Sequence, residues 1–252
     1  MNQKSQMFDD KGLRFFGKVT ASVTHDIKNA LATINENAGL LTDYIEMAAR
    51  GRPLDPQQLN KLSVRIMDQV QRADTLLKTM NGFAHSVDDP IKTVNLSEML
   101  QLFALLSGRF AAQRGITVDI GGRPELINIQ TSPFLLLNAL FLCLEFAMEA
   151  AGQGQCIELK PEKTDTGTRI YFSPLPGIDR VSSDSWPSSQ VPELLETLTA
   201  DFIIDTEAES AALDLSDRCR PYRADKKTIS VKTSTNENEK EPNHDRESVA
   251  RR

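Results

Sequence analysis

Apolar residues recur every three or four positions from Leu13 to Ala48, and no other feature of the 252-residue chain restricts its folding so strongly. The row is Leu13, Phe16, Val19, Val23, Ile27, Ala30, Ile34, Ala38, Leu41, Ile45 and Ala48, the spacing that lines one stripe of an α-helix. A helix from about residue 12 to 50 would be roughly 55–60 Å long, too long to persist without a partner along most of its length. Gly51 and Pro53 end it, and Asp55 can cap a second helix with Pro56 at its first position. That helix carries Leu59, Leu62, Ile66, Val70 or Gln69, Ala73, Leu77, Met80 and Ala84. The two make an antiparallel helical hairpin. A hairpin with one apolar seam does not close a core, and a second copy covers it most simply, which predicts a homodimer built on a four-helix bundle.

After Asp88, Asp89 and Pro90 the pattern changes. Residues 94–115 read as a helix capped by Asn95 or Ser97 and ended by Gly115, ITVDI as a short strand, and TSPFLLLNALFLCLEFAMEAAG as a heavily buried helix ended by Gly152. QCIELKPEKTDTGTRIYFSP reads as a strand hairpin, VPELLETLTADF as a helix, and IIDT and AALDLSD as two further strands. The predicted class is therefore α+β: a helical hairpin followed by an α/β sandwich with helices on one face of a sheet. The segments are a lead (1–11), the hairpin (12–89), the α/β domain (90–225) and, from Lys226, a tail (226–252) too polar to pack, read as disordered.

The net charge of −6 is spread along a mixed sequence, which predicts no nucleic-acid face and no polybasic membrane anchor. The dense run PFLLLNALFLCLEFAMEAA includes two acids and falls short of the ~18 uninterrupted apolar residues of a membrane span. The first residues have no apolar core of a secretory signal. Cys143, Cys156 and Cys219 are isolated, which argues against a disulfide scaffold or structural zinc and fits a reducing cytoplasm.

One of three histidines, His25, lies on the first helix, followed at once by Asp26 and four residues on by Asn29. At 100° per residue it points away from the apolar seam, with Lys18, Ser22 and Asn29. An isolated exposed histidine is usually only a solvated side chain. Here Asp26 can accept the proton of one ring nitrogen while the other stays nucleophilic, the arrangement a phosphoryl acceptor needs. Phosphoryl transfer asks mainly for in-line positioning, which a rigid helix supplies. His85, at the end of the second helix, reads as a helix-terminal charge partner, and His244 falls in the tail.

ASVTHDIKNALATI resembles the phosphoacceptor box of sensor histidine kinases: His25, Asp26, Ile27, Lys28, Asn29, Ala30 and Leu31, with Ala30 in place of the usual proline. The resemblance implies that His25 is phosphorylated, that Asp26 assists as acid and base, and that Asn29 serves dephosphorylation of a response-regulator aspartate. The second half is similar, more distantly, to the ATP-binding domain of that family. Phe146 stands where the family has the asparagine that holds Mg²⁺, Ser173 where it has the adenine-reading aspartate, and Leu175 where it has the first glycine of that box, with only Gly177 and Ile178 kept. The second glycine-rich box has no counterpart in SSDSWPSSQVPELLETL. A phenylalanine offers no oxygen to Mg²⁺, and a lid without glycine does not bring backbone amides close to phosphates. The expectation is a kept fold without ATP or Mg²⁺: a cytoplasmic histidine phosphotransferase or pseudokinase whose partner is a response-regulator receiver domain. Two alternatives remain. One is a divergent autokinase that does use ATP and Mg²⁺, with Glu145 or Glu149 as metal ligand, and the other is a non-enzymatic docking module. Trp186, in a Ser/Pro loop, could plug the former nucleotide pocket or mark a contact site.

Overall fold

The computed structural model describes residues 3–122, 126–181, 191–216 and 229–232, the side chains from residue 12 onward and not those of 229–232. Helix α1 (Gln3–Ala49) and helix α2 (Pro56–Ala84) form the hairpin. The first helix runs back through most of the stretch read as a lead, because no proline interrupts residues 3–11. Gly51 at φ +87° makes the turn, a left-handed conformation that glycine adopts without penalty. Asp55 caps α2 by accepting from the Gln57 amide at 2.9 Å, with Pro56 at the first helical position. The seam of α2 is formed by Leu62, Ala73, Thr79 and Phe83, whereas Val70 and Leu77 are exposed.

Among the described residues the α/β domain contains α3 (Leu96–Gln113), α4 (Pro133–Ala151) and α5 (Val191–Thr197) with eight strands. Strands β1 (Lys92–Asn95) and β3 (Asn128–Thr131) pair antiparallel as a small separate sheet. The main sheet has six strands in the order β2-β4-β5-β7-β6-β8: β2 (Thr117–Ile120), β4 (Cys156–Thr164), β5 (Gly167–Ser173), β7 (Ser210–Ser216), β6 (Ala200–Asp205) and β8 (Ile229–Lys232). Pairing is antiparallel in the centre and parallel at both edges, β2 with β4 and β6 with β8. Inward residues alternate with outward ones: Ile170 and Phe172 are buried, while Arg169 on the open face pairs with the directly opposite Asp214. That ion pair holds the Arg169 guanidinium above its usual range, chiefly through the hydrogen bond to Asp214.

Three local readings are corrected. The helix predicted over VPELLETLTADF stops at Thr197, and Ala200–Asp205 is strand β6; Thr199 at φ +52° breaks the helix between them. The segment 229–232, read as part of a disordered tail, is strand β8, whose Ile229 and Val231 are β-branched residues that suit a sheet edge. The four-residue strands β1 and β3 were not foreseen. The rest of the tail, with His244, and also Trp186 and Cys219, lie outside the described residues.

Helix α4 is the hub of the core. It is the one described helix long and apolar enough to cross a membrane, yet 67% of its apolar window is buried within the fold. One continuous buried cluster runs from Phe15, Val19, Val23 and Phe83 of the hairpin through α3 and α4 to the sheet. At the junction Phe15 packs on Phe83, Phe134 and Phe141 at ring separations of 5.6, 5.7 and 5.5 Å. Each such ring contributes about 1.5–3 kcal/mol by burial, so the base of the hairpin is tied to the α/β domain and α1 keeps a set orientation on α3 and α4.

Candidate phosphoacceptor site

Nearly three turns above this aromatic junction α1 presents His25. Lys18 fixes the intervening stretch: its Nζ is 2.6 Å from Glu145 Oε1 and 4.6 Å from the centre of the Phe141 ring. Val19 and Val23 are buried beneath. Ser22, expected on the open face, is buried as well, because α3 covers that side of the helix. His25 itself keeps a side chain 55% exposed.

Around the imidazole the structure gathers both sequence-predicted partners. Asn29 Nδ2 is 3.0 Å from His25 Nδ1, one helical turn along. Asp26 Oδ1 lies 3.6 Å from the same nitrogen, beyond direct hydrogen-bond reach, and its side chain is only 19% exposed. The residue that sequence reading missed is Arg109. From α3 it donates Nη1 hydrogen bonds to both His25 Nδ1 and the Asp26 carboxylate. Its position is set by the cap of its helix, where Asn95 Oδ1 accepts from the Ser97 amide at 2.9 Å, and by the buried Phe103 and Leu106 on the core side. The available signal was that Arg109 is the only basic residue of its helix. Among the described residues every protein partner of the His25 ring is at Nδ1, which leaves Nε2 for an incoming group.

The remaining sequence-predicted positions lie in the packing of the α/β domain. Phe146 is 2% exposed, with its ring edge-on to Phe202 at 5.5 Å. Leu175 is fully buried and Ile178 nearly so. Ser173 ends β5 on the half-buried face. Gly177 remains glycine for a packing reason: its amide donates to Ala150 O at 2.8 Å, and a Cβ there would stand 2.6 Å from that oxygen. The described start of the segment after β5 is thus tied to the end of α4 by the Gly177–Ala150 backbone hydrogen bond. At the positions named for Mg²⁺, Phe146 offers no oxygen ligand, Glu145 is engaged by Lys18, and Glu149 is exposed. The sequence-predicted site residues therefore separate into His25, Asp26 and Asn29, which meet, and Phe146, Ser173 and Gly177, which belong to the packing of the α/β domain.

No protein-family model matches the chain, and no curated protein does. Solved structures resemble it at low identity. The histidine kinase AdeS of Acinetobacter baumannii is 10% identical over 71% of this chain and 94% of its own, with a TM-score of 0.41. A histidine kinase from Burkholderia phymatum is 17% identical over 74% of this chain and 96% of its own, with a TM-score of 0.38. The histidine kinase ThkA in complex with the response regulator protein TrrA is 19% identical over 64% of this chain and 46% of its own, with a TM-score of 0.30.

Proposed function

We propose that this chain is a histidine phosphotransferase of a two-component phosphorelay, a pseudokinase that exchanges a phosphoryl group between His25 and the aspartate of a response-regulator receiver domain without using ATP. The observation that carries the reading is the pairing of an accessible imidazole, held with a carboxylate and a carboxamide on a rigid helix, with an α/β domain that has the buried Phe146 and Leu175 where the resembled family has nucleotide-binding residues. The likeness of residues 25–31 to a phosphoacceptor box supports the same assignment.

In the proposed transfer the lone pair of His25 Nε2 attacks the phosphorus of the aspartyl phosphate in line. The N–P bond forms as the P–O bond to the aspartate breaks, and that carboxylate leaves with the electron pair. Asp26 takes the Nδ1 proton, which would otherwise leave a cation on the ring. Asn29, beside it, orients a water for hydrolysis of the receiver's aspartyl phosphate, the phosphatase side of the same site. The partner surface is the exposed face around His25, and the protein acts as a cytoplasmic homodimer through the hairpin.

The test is to incubate the purified protein with radiolabelled ATP alone, and separately with a phosphorylated receiver domain, for wild type and His25→Ala. The expected result is no label from ATP, label from the receiver, and none in the variant. Label from ATP alone would establish an autokinase instead. No label on His25 and no faster receiver dephosphorylation would leave a docking module.

A further inference from the structure

We propose that Arg109 is a positioning residue that holds His25 in its unreactive tautomer, so that transfer requires α3 to release the ring. The inference rests on the phosphoacceptor reading of His25 and adds a control on it that comes from the α/β domain. A neutral imidazole carries one proton. For Nε2 to attack phosphorus, that proton must sit on Nδ1 and Nε2 must keep its lone pair. A guanidinium has donors only and is never deprotonated in proteins. Its hydrogen bond to His25 Nδ1 therefore requires the lone pair on Nδ1 and the proton on Nε2, the tautomer with no nucleophile at the exposed position. Asn29 does not decide the matter, because its carboxamide can rotate to offer either N–H or oxygen at 3.0 Å.

The same side chain also occupies the group that would relieve it. Asp26, the acceptor for an Nδ1 proton, is bound by Arg109 and stands 3.6 Å from the ring. One guanidinium thus blocks the reactive tautomer and engages the base. It acts on the phosphorylated ring too. Return of the phosphoryl group to an aspartate breaks the N–P bond, and the imidazole leaves as a neutral group only if Nδ1 has gained a proton, here delivered by Asp26. A donor fixed on the Nδ1 lone pair opposes that proton and slows transfer in both directions. Leu105, 56% exposed and one turn before Arg109 on α3, places an apolar contact where a docking receiver would bear on this helix and draw the arginine away.

The decisive experiment is the side-chain ¹⁵N spectrum of the full chain labelled at histidine, with His25 assigned by its loss in His25→Gln. The expected spectrum of the neutral wild-type ring has a pyrrole-type Nε2 and a pyridine-type Nδ1; the reverse pattern would overturn the proposal without any variant being made. In Arg109→Ala the Nδ1–H form is expected to gain population. Single-turnover transfer from a phosphorylated receiver should then speed up by roughly tenfold, the worth of one charge-assisted hydrogen bond in an equilibrium. A slower transfer in that variant would instead make Arg109 a clamp on the phosphoryl group and sink the tautomer assignment. A wild-type Nε2–H spectrum with no label reaching His25 from receivers would overturn the phosphotransfer function while still supporting the hold of Arg109 on the ring.

Discussion

At the scale of single residues the site depends on one proton. His25 Nδ1 faces a carboxamide, a guanidinium and, 3.6 Å off, a carboxylate, and only the carboxylate can take the proton away as Nε2 forms its bond. Asp26→Asn keeps the size of the side chain and removes that capacity. Transfer from a phosphorylated receiver to His25 is expected to fall on the order of a hundredfold or more, the usual span of acid–base assistance. The measurement is label transfer timed by rapid quench, alongside an unchanged far-ultraviolet spectrum. Phe146 makes the opposite test. Phe146→Asn restores the residue type that the resembled family uses for Mg²⁺, yet position 146 is 2% exposed and packed edge-on against Phe202. The expected outcome is a loss of about 3–5 kcal/mol in urea unfolding, from the vacated ring volume and the unpartnered amide, with no binding of a fluorescent nucleotide. Nucleotide binding by this variant would mean that the α/β domain retains a usable ATP site.

At the scale of elements, α4 carries most of the core, and its Cys143 reports on it. Burial pushes the Cys143 thiol far above its ordinary range. In the unfolded chain the same thiol ionises near pH 8.5. Above that pH the unfolded state binds fewer protons than the native state, so the unfolding free energy declines by up to about 1.4 kcal/mol per pH unit from this group alone. Urea midpoints taken at about pH 8 and about pH 10 should therefore differ more in the wild type than in Cys143→Val, which has no proton to lose; equal slopes would mean that water reaches α4. The elements themselves were unequally legible. Helices α1, α2 and α4 could be read from their period and their caps, Asp55 and Gly152 among them, because both signals are local. Strands β1 and β3 could not: each has four residues, too few to display a period, and they exist because Val94 meets Ile129 across the chain. The helix assigned past Thr197 failed because the Ala200–Asp205 run packs as readily with period two once β7 lies beside it. Of the site, His25, Asp26 and Asn29 stand within one turn and were visible together, whereas Arg109 arrives from 84 positions away, a distance that only tertiary packing spans.

At the scale of the whole molecule the described residues leave an apolar face of the hairpin uncovered, and Leu13 and Ile45, read from the sequence as part of the single seam, lie on it instead of in the buried stripe. Leu13, Leu31 and Ile45 on α1, and Val64, Met67, Val70 and Leu77 on α2, are each between 47% and 69% exposed. Followed at 100° per residue from the buried seam, with the two helices antiparallel, both rows turn to the same side of the hairpin. That side lies away from His25 and from α3, so a second hairpin can seat there without touching the phosphoacceptor face. Two copies packed in this way would bury the rows against each other as a four-helix bundle, with a two-fold relation presenting the same surface from each copy. The proposed arrangement would give one side of α1 to assembly and the other to the proposed chemistry. Met67→Glu combined with Val70→Glu places two carboxylates in the middle of the proposed seam, where desolvation without a partner opposes burial. Sedimentation velocity is expected to show a dimer for the wild type and a monomer for the double variant, with the ¹⁵N pattern of His25 unchanged, since Arg109 reaches the ring from within the same chain. A wild type that sediments as a monomer at micromolar concentration would remove the bundle and leave the exposed rows to a different partner.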